Sequence, residues 1–144
     1  MGFKGGKRIN ELVSLINLPP TLFECAEIPI PKYMKGKPLQ QLLTNNLQNW
    51  SNDVFIQISE TQVGRAIRTH KWKYSVEAPE KDGILNSRSD IYNETFLYDL
   101  ENDPHEKLNL IAEPEFFNVR KELSSILKQR MIEAGEDPPN IIIE

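Results

Sequence analysis

Three strand-like segments lie so close together in this chain that few folds can hold them. Val54-Phe55-Ile56-Gln57-Ile58-Ser59, residues 63–69 and residues 72–76 are rich in β-branched and aromatic side chains, and only a turn at His70-Lys71 separates the last two. A parallel connection needs a crossover of a dozen or more residues, so these strands must pair antiparallel. Phe96-Leu97-Tyr98-Asp99-Leu100 supplies a fourth strand. Before it, residues 79–94 carry Pro79, Asp82, Gly83, Asn86, Ser87, Ser89 and Asp90, the composition of a long surface loop. Such a sheet needs one face covered. Phe116, Val119, Leu123, Ile126, Leu127 and Met131 recur at three- and four-residue steps, with Pro114 suited to a first helical turn and Gly135 to a stop. The expected fold is α+β: a four-stranded, mostly antiparallel sheet packed against a long helix over about residues 114–134.

The first third reads differently. Leu15, Ile16, Leu18, Leu22, Phe23 and Ala26 are spaced as a helical face, and Ser14 or Asn17 can cap it. Pro19 and Pro20 favour the later start, with Asn17 as cap and Pro19 in the first turn. Ile28-Pro29-Ile30-Pro31 is expected to be extended, because each proline disfavours a helical predecessor. Residues 38–43 suit one or two helical turns. Asn45, Asn46, Asn49, Ser51 and Asn52 form a polar linker, which places a boundary between residues 1–48 and 49–144.

At 144 residues with 39% hydrophobic and 26% charged side chains, the composition is that of a globular domain with a core. A net charge of −4 gives no general drive toward nucleic acid or anionic lipid. No apolar run approaches the ~20 residues that span a bilayer, and the basic start through Arg8 leads into no signal-peptide apolar region. The expected partners therefore include no nucleic acid and no membrane. The run from Arg65 to Tyr74 interleaves cations with rings, as nucleic-acid-binding sheets do. Yet Trp72 and Tyr74 share one strand face, and Lys71 and Lys73 the other, so strand amphipathicity accounts for the pattern.

Site chemistry is sparse. His70 and His105 stand apart from any Cys/His cluster, which excludes a structural zinc site. Asp99, Glu101, Asp103 and Glu106 lack the turn glycine and terminal glutamate of a calcium loop, so no metal ligands are assigned. There is no nucleophile elbow, phosphate-binding loop or dinucleotide fingerprint, and no catalytic residue is assigned. Cys25 is the only cysteine; between Glu24 and Glu27 on an apolar helical face it reads as a buried structural thiol.

Three stretches, in order, carry a resemblance. Leu12-Val13-Ser14-Leu15-Ile16-Asn17-Leu18-Pro19-Pro20-Thr21-Leu22, then Arg65-Ala66-Ile67-Arg68-Thr69 with Trp72-Lys73-Tyr74, then Leu97-Tyr98-Asp99-Leu100-Glu101-Asn102-Asp103-Pro104 with Asn109-Leu110, resemble the C-terminal region of sulfatases in the alkaline-phosphatase-like superfamily. The resemblance covers roughly residues 9 to 135. It implies that residues 1–48 are a helical and Pro-rich remnant of the large α/β sulfatase domain, and residues 49–144 the C-terminal sheet-and-helix subdomain. It also implies that the reaction centre lies elsewhere. In that family a Cys or Ser in C/S-x-P-x-R becomes formylglycine, and a calcium ion held by Asp and Asn offsets charge on the sulfate oxygens. Here Glu27 and Pro29 follow Cys25 where that motif needs Pro and Arg, and the paired metal-binding aspartates have no counterpart. Asn17 stands where Asp is usual, and Lys107-Leu108 where polar residues are usual.

The resemblance therefore implies no cofactor in this chain, with calcium and formylglycine belonging to the parent enzyme's missing domain, and a fragment inactive alone. Its partners would be that N-terminal domain and, in the parent, a sulfate ester; the apolar face on residues 9–43 makes self-association an expected consequence. The abrupt Met1-Gly2-Phe3-Lys4-Gly5-Gly6 start reads as a truncation, a split reading frame or an expression boundary. A substrate rim is expected at Glu60, Arg65 and His70, at strand ends beside the pocket mouth. The alternatives are a non-catalytic module that binds sulfated carbohydrate or a partner chain through Arg65, Arg68, His70 and Lys71, or the remnant of a decaying gene.

Overall fold

The computed structural model describes residues 5–44, 47 and 50–143. The expected abrupt start at residues 1–4, and Asn45, Asn46 and Asn49 of the expected linker, lie outside them. The chain divides into two compact units, one ending at Val54 and one beginning at Phe55.

In the second unit the sheet has five strands: β1 Asp53–Ile58, β2 Gly64–Thr69, β3 Trp72–Glu77, β4 Ile91–Asp99 and β5 Asn140–Ile142, in spatial order β1-β2-β3-β4-β5. β2 pairs antiparallel with β3 (Ile67 opposite Tyr74), as their short connection requires, and β3 pairs antiparallel with β4 (Tyr74 opposite Leu97). β5 corrects the expected four strands. It pairs parallel with β4, Tyr92 opposite Ile141, so the sheet is mixed. Its pairing joins residues some fifty apart in sequence, which short-range patterning does not report. β4 also begins at Ile91, inside the stretch expected to be loop.

A bulge lies in β4: Val76 pairs with Glu94 and Ser75 with Phe96, which leaves Thr95 extra. The inserted residue reverses the alternation, so both Glu94 and Leu97 face the helix side. α2 runs over Phe117–Ala134 behind a 3-10 turn at Pro114–Phe116, and Gly135 closes it in the left-handed region at φ 100. Leu123, Leu127 and Met131 of α2 are buried with Val63, Ile67, Tyr74, Val76, Tyr92, Leu97 and Ile141 in one core. This is the expected packing of a helix stripe on a sheet.

The first unit is built the other way round. A 3-10 turn at Leu15–Asn17 runs directly into α1, Leu18–Cys25, and a second 3-10 turn spans Leu39–Leu43. Asn17 does not cap α1 as expected. Its backbone is already helical (φ −77, ψ −20), and its Oδ1 accepts from the Ser14 amide at 2.8 Å. Its Nδ2 donates to the Lys37 carbonyl at 3.0 Å. Thr21 Oγ1 donates to the Asn17 carbonyl (2.6 Å) and accepts from the Leu39 amide (2.9 Å). Gln40 Nε2 donates to the Thr21 carbonyl and to Cys25 Sγ. Asn17, Thr21 and Gln40 are buried, whereas Cys25 is exposed, which corrects its expected burial. Gly36 lies against the turn at Leu15–Asn17 so closely that a Cβ there would overlap the Ile16 carbonyl.

Candidate functional site

The three residues expected at a rim do not meet. Glu60 precedes β2 and His70 follows it; both are exposed, and six strand residues put them roughly 20 Å apart. Glu60 holds φ +74, uncommon for a residue with a Cβ, and its amide donates to the Gly83 carbonyl at 2.9 Å. That contact locks the β1–β2 connection to the loop at residues 78–90. Gly83 is required there, because a Cβ would come within 2.7 Å of the Gln62 amide nitrogen and 2.8 Å of the Glu60 oxygen.

Arg65 is buried, its residue 1% exposed. Nε donates to Glu136 Oε1 at 2.7 Å, Nη1 to the Gly64 carbonyl at 2.7 Å and, at 3.5 Å, to that of Ile58, and Nη2 to the Ser87 carbonyl at 2.8 Å. The guanidinium also lies over the Tyr92 ring. One side chain thus ties β2 to β1, to the 78–90 loop and to the segment after α2. Its fork of donors is spent on the protein and fixes the loops around it.

A second buried charge pair was not anticipated. Arg120 Nη1 donates to Glu94 Oε2 at 2.6 Å, with both side chains almost fully buried, and Tyr74 Oη donates to Glu94 Oε1 at 2.9 Å. Glu94 and Arg120 line a cleft of about 490 Å³ with Asn93, Ile111, Ala112 and Ile142. Burial first, then the adjacent Glu94 carboxylate, pushes the Tyr74 hydroxyl far above its ordinary range. A phenol so hard to ionise, hydrogen-bonded to a carboxylate already paired with arginine, holds structure and offers neither a nucleophile nor a free base. The sequence did carry a signal, since Arg120 falls on the α2 stripe four residues after Phe116 and three before Leu123.

The third resemblance motif is likewise a device of the fold. Asp99 Oδ1 accepts from the Glu101 and Asn102 amides, and Oδ2 from Asn102 Nδ2. Asp103 Oδ2 accepts from the Lys107 and Leu108 amides at 2.6 and 2.8 Å. Asn109 Oδ1 then takes the Leu97 amide while its Nδ2 donates to the Thr95 carbonyl, and the Leu110 amide bonds the Leu97 carbonyl. Asn109-Leu110 thereby continues along the β4 edge beyond the reach of β5. Two acidic turns and a pseudo-strand make a rigid corner into α2.

The basic run is absorbed similarly. Tyr74 is fully buried, Trp72 packs edge-on against Phe116 at 5.7 Å, and Lys73 pairs with Glu106 at 2.5 Å. The calcium and formylglycine of the resemblance do not fit the residues present. Cys25 lacks the flanking motif, and among the described residues no three His, Cys, Asp or Glu side chains come together to hold a metal ion.

Comparison with known proteins places this architecture. Residues 1–133 match the family described as N-sulphoglucosamine sulphohydrolase, C-terminal. Human arylsulfatase K is 26% identical over 93% of this chain and 25% of its own length. An ulvan-active sulfatase of Formosa agariphila is 29% identical over 83% of this chain and 29% of its own length. A solved structure in complex with its substrate D-glucosamine-2-N,6-O-disulfate superposes with a TM-score of 0.67 at 21% identity, over 85% of this chain and 24% of that one. The chain thus spans about a quarter of the length of these relatives. With nearly its whole length matched by the family and its α+β fold shared with a solved relative, the chain belongs to the N-sulphoglucosamine sulphohydrolase C-terminal family and is a sulfatase C-terminal domain.

Proposed function

We propose that this chain is the non-catalytic C-terminal part of an enzyme that hydrolyses sulfate esters of carbohydrates, and that it acts as a scaffold beside a reaction centre outside the chain. The observation that carries this proposal is what the resemblance motifs do: Arg65 and the Asp99–Leu110 corner spend their polar groups on holding loops and strand edges. Carbohydrate as the substrate class is supported by the names of relatives, an ulvan-active sulfatase and an N-acetylglucosamine-6-O-sulfatase of Bacteroides thetaiotaomicron. No step through calcium or formylglycine is assigned to this chain. Glu60 and His70, exposed at opposite ends of β2, are the side chains of the expected rim that can still reach a sugar beyond its sulfate.

The decisive assay is aryl sulfate turnover by the 144-residue chain with calcium present, and the expected result is none. Turnover that survives repurification and disappears in Cys25→Ala or His70→Ala would overturn the proposal. The alternative of a free-standing sulfated-glycan module loses its most central cation, since Arg65 is committed to Glu136.

A further inference from the structure

The edge of β4 has two covers that do not meet. β5 lies along it as far as Asn93, which pairs with Ile142. Asn109-Leu110 takes over at Thr95 and Leu97, through the Asn109 side chain and the Leu110 amide. Glu94 falls between the two. The cleft of about 490 Å³ opens there, lined by Asn93 and Ile142 from the first cover, Ile111 and Ala112 just past the second, and Arg120 from α2. Because Thr95 is an inserted residue, Glu94 shares the helix side with Leu97 and there meets Arg120.

A buried ion pair is a poor source of stability, since apolar side chains of the same volume often hold a fold as well or better. This pair, with side chains 5% and 6% exposed, stands in the wall of an open cleft, where it can meet a ligand. Among the described residues, Glu94 accepts from Tyr74 Oη at 2.9 Å and from Arg120 Nη1 at 2.6 Å. A carboxylate has about four acceptor directions, so Glu94 keeps room for hydroxyl donors. Asn93, exposed, adds an amide that both donates and accepts. Ile111, Ala112 and Ile142 add aliphatic surface, and the volume falls within the roughly 300–1,000 Å³ of small-molecule sites. Charge then selects among polar ligands. A sulfate or carboxylate would meet the Glu94 carboxylate, and an ammonium the Arg120 guanidinium. A neutral ring bearing hydroxyls meets neither penalty.

We infer that this cleft binds a neutral, unsulfated sugar unit, its hydroxyls donating to Glu94 and its C–H face lying on Ile111, Ala112 and Ile142. The choice of a sugar among neutral polyols rests on the carbohydrate substrate class proposed above; the cleft adds a sugar contact to the scaffold role.

The test is an amide chemical-shift titration of the full 144-residue chain with N-acetyl-D-glucosamine and with its 6-sulfate, two probes that differ by a single sulfate. The sugar follows the name of the Bacteroides thetaiotaomicron relative. The neutral sugar is expected to shift the amides of Asn93, Glu94, Ile111, Ala112 and Ile142, and the 6-sulfate to bind about tenfold or more weakly. Glu94→Gln should weaken the neutral sugar about tenfold by removing the charged acceptor. Ala112→Trp, at an exposed position, fills the cleft, leaves the ion pair in place and should abolish the shifts. Lys121→Glu, on the exposed side of α2, should bind like wild type. Far-UV circular dichroism verifies folding, and Ala112→Trp carries the test if Glu94→Gln does not fold. A 6-sulfate that binds as tightly as the neutral sugar would overturn the inference. So would cleft amides that neither sugar shifts at tens of millimolar, or shifts that survive Ala112→Trp. Each of those results leaves the scaffold function standing, because aryl sulfate turnover decides that separately. Turnover by the chain would overturn the scaffold function and leave the sugar titration intact.

Discussion

The two units of this chain solve burial in opposite ways. In the unit from Phe55 onward, apolar side chains from both faces of contact meet in one core, and the charges that enter it, Arg65 with Glu136 and Arg120 with Glu94, are paired. In the unit ending at Val54 a polar clamp of Asn17, Thr21 and Gln40 is buried beside Pro20 and Leu42, and Leu18 and Leu22 of its helix lie outside. The same amphipathic spacing therefore has two meanings. On α2 it reports a core; on α1 it reports a surface. What separates them is whether polar residues on the opposite helix face have long-range partners of their own.

The largest expected effect follows from the buried charges. Arg120→Ala leaves Glu94 buried with the Tyr74 hydroxyl, and breaking such a pair costs ~3–5 kcal/mol. Asn17→Ala, which removes the neutral hydrogen bonds of the other unit, should cost ~1–2 kcal/mol. Urea titrations can read the units separately, because the chain has two tryptophans, Trp50 in the first unit and Trp72 in the second. Trp50→Phe leaves Trp72 as reporter, and Trp72→Phe leaves Trp50. A larger loss from Asn17→Ala than from Arg120→Ala would reverse the comparison between the two interiors.

Next come the leucines. Leu127→Ala removes a fully buried side chain from the α2 stripe and should cost ~2–5 kcal/mol. Leu22→Ala removes an exposed one and should stay within ~0.5 kcal/mol. Comparable losses at both positions would show α1 leucines buried in the chain alone and end the distinction.

The glycines sharpen it further. Gly83→Ala presses a Cβ against the backbone of Gln62 and Glu60, and should cost ~1–3 kcal/mol as overpacking does, read at Trp72. Gly36→Ala, read at Trp50, forces residues 35–40 away from the Leu15–Asn17 turn and should open the clamp without moving the Trp72 transition. A shift of the second unit by Gly36→Ala would show that the units do not respond independently.

How much of this was legible in the sequence differs by element. The α2 stripe, the helical turn opened by Pro114 and the stop at Gly135 were all visible, because helix periodicity and end signals are local. The antiparallel pairing of β2 with β3 followed from a connection too short for anything else. The fifth strand was not legible: three residues after Pro138-Pro139 acquire their meaning only from a parallel partner at Ile91–Asn93. Arg65 was singled out as a cation beside a strand-end turn. Its burial depends on Ser87 and Glu136, residues that only the fold brings to it. Cys25 was expected buried; it lies on the clamp side, four residues after Thr21 and bonded by Gln40 Nε2, but as the last residue of α1 it stays exposed.

The smallest expected effect belongs to the corner at the end of β4, and pH reads it. Desolvation pushes the Asp99 carboxyl up, but hydrogen bonds from the Asn102 side chain and amide and from the Glu101 amide, with Lys71 nearby, outweigh it and hold the group below its ordinary value. A carboxyl whose folded pKa is depressed binds its proton less readily in the native state than in the unfolded one. Its contribution is therefore fully present above the unfolded pKa, about 4, and is lost as pH falls through the lower folded value. Asp99→Asn keeps an acceptor oxygen for the turn but removes the charge. Urea midpoints followed at Trp72 should place the variant slightly below wild type at neutral pH, and the gap should close as pH drops below about 4. A gap that widens with acid would mean that the corner favours the protonated side chain, and the depressed value would be wrong. Followed at Trp50, the same titration should show no difference between variant and wild type, because the hydrogen bonds of Asp99 run to Glu101 and Asn102 within its own turn.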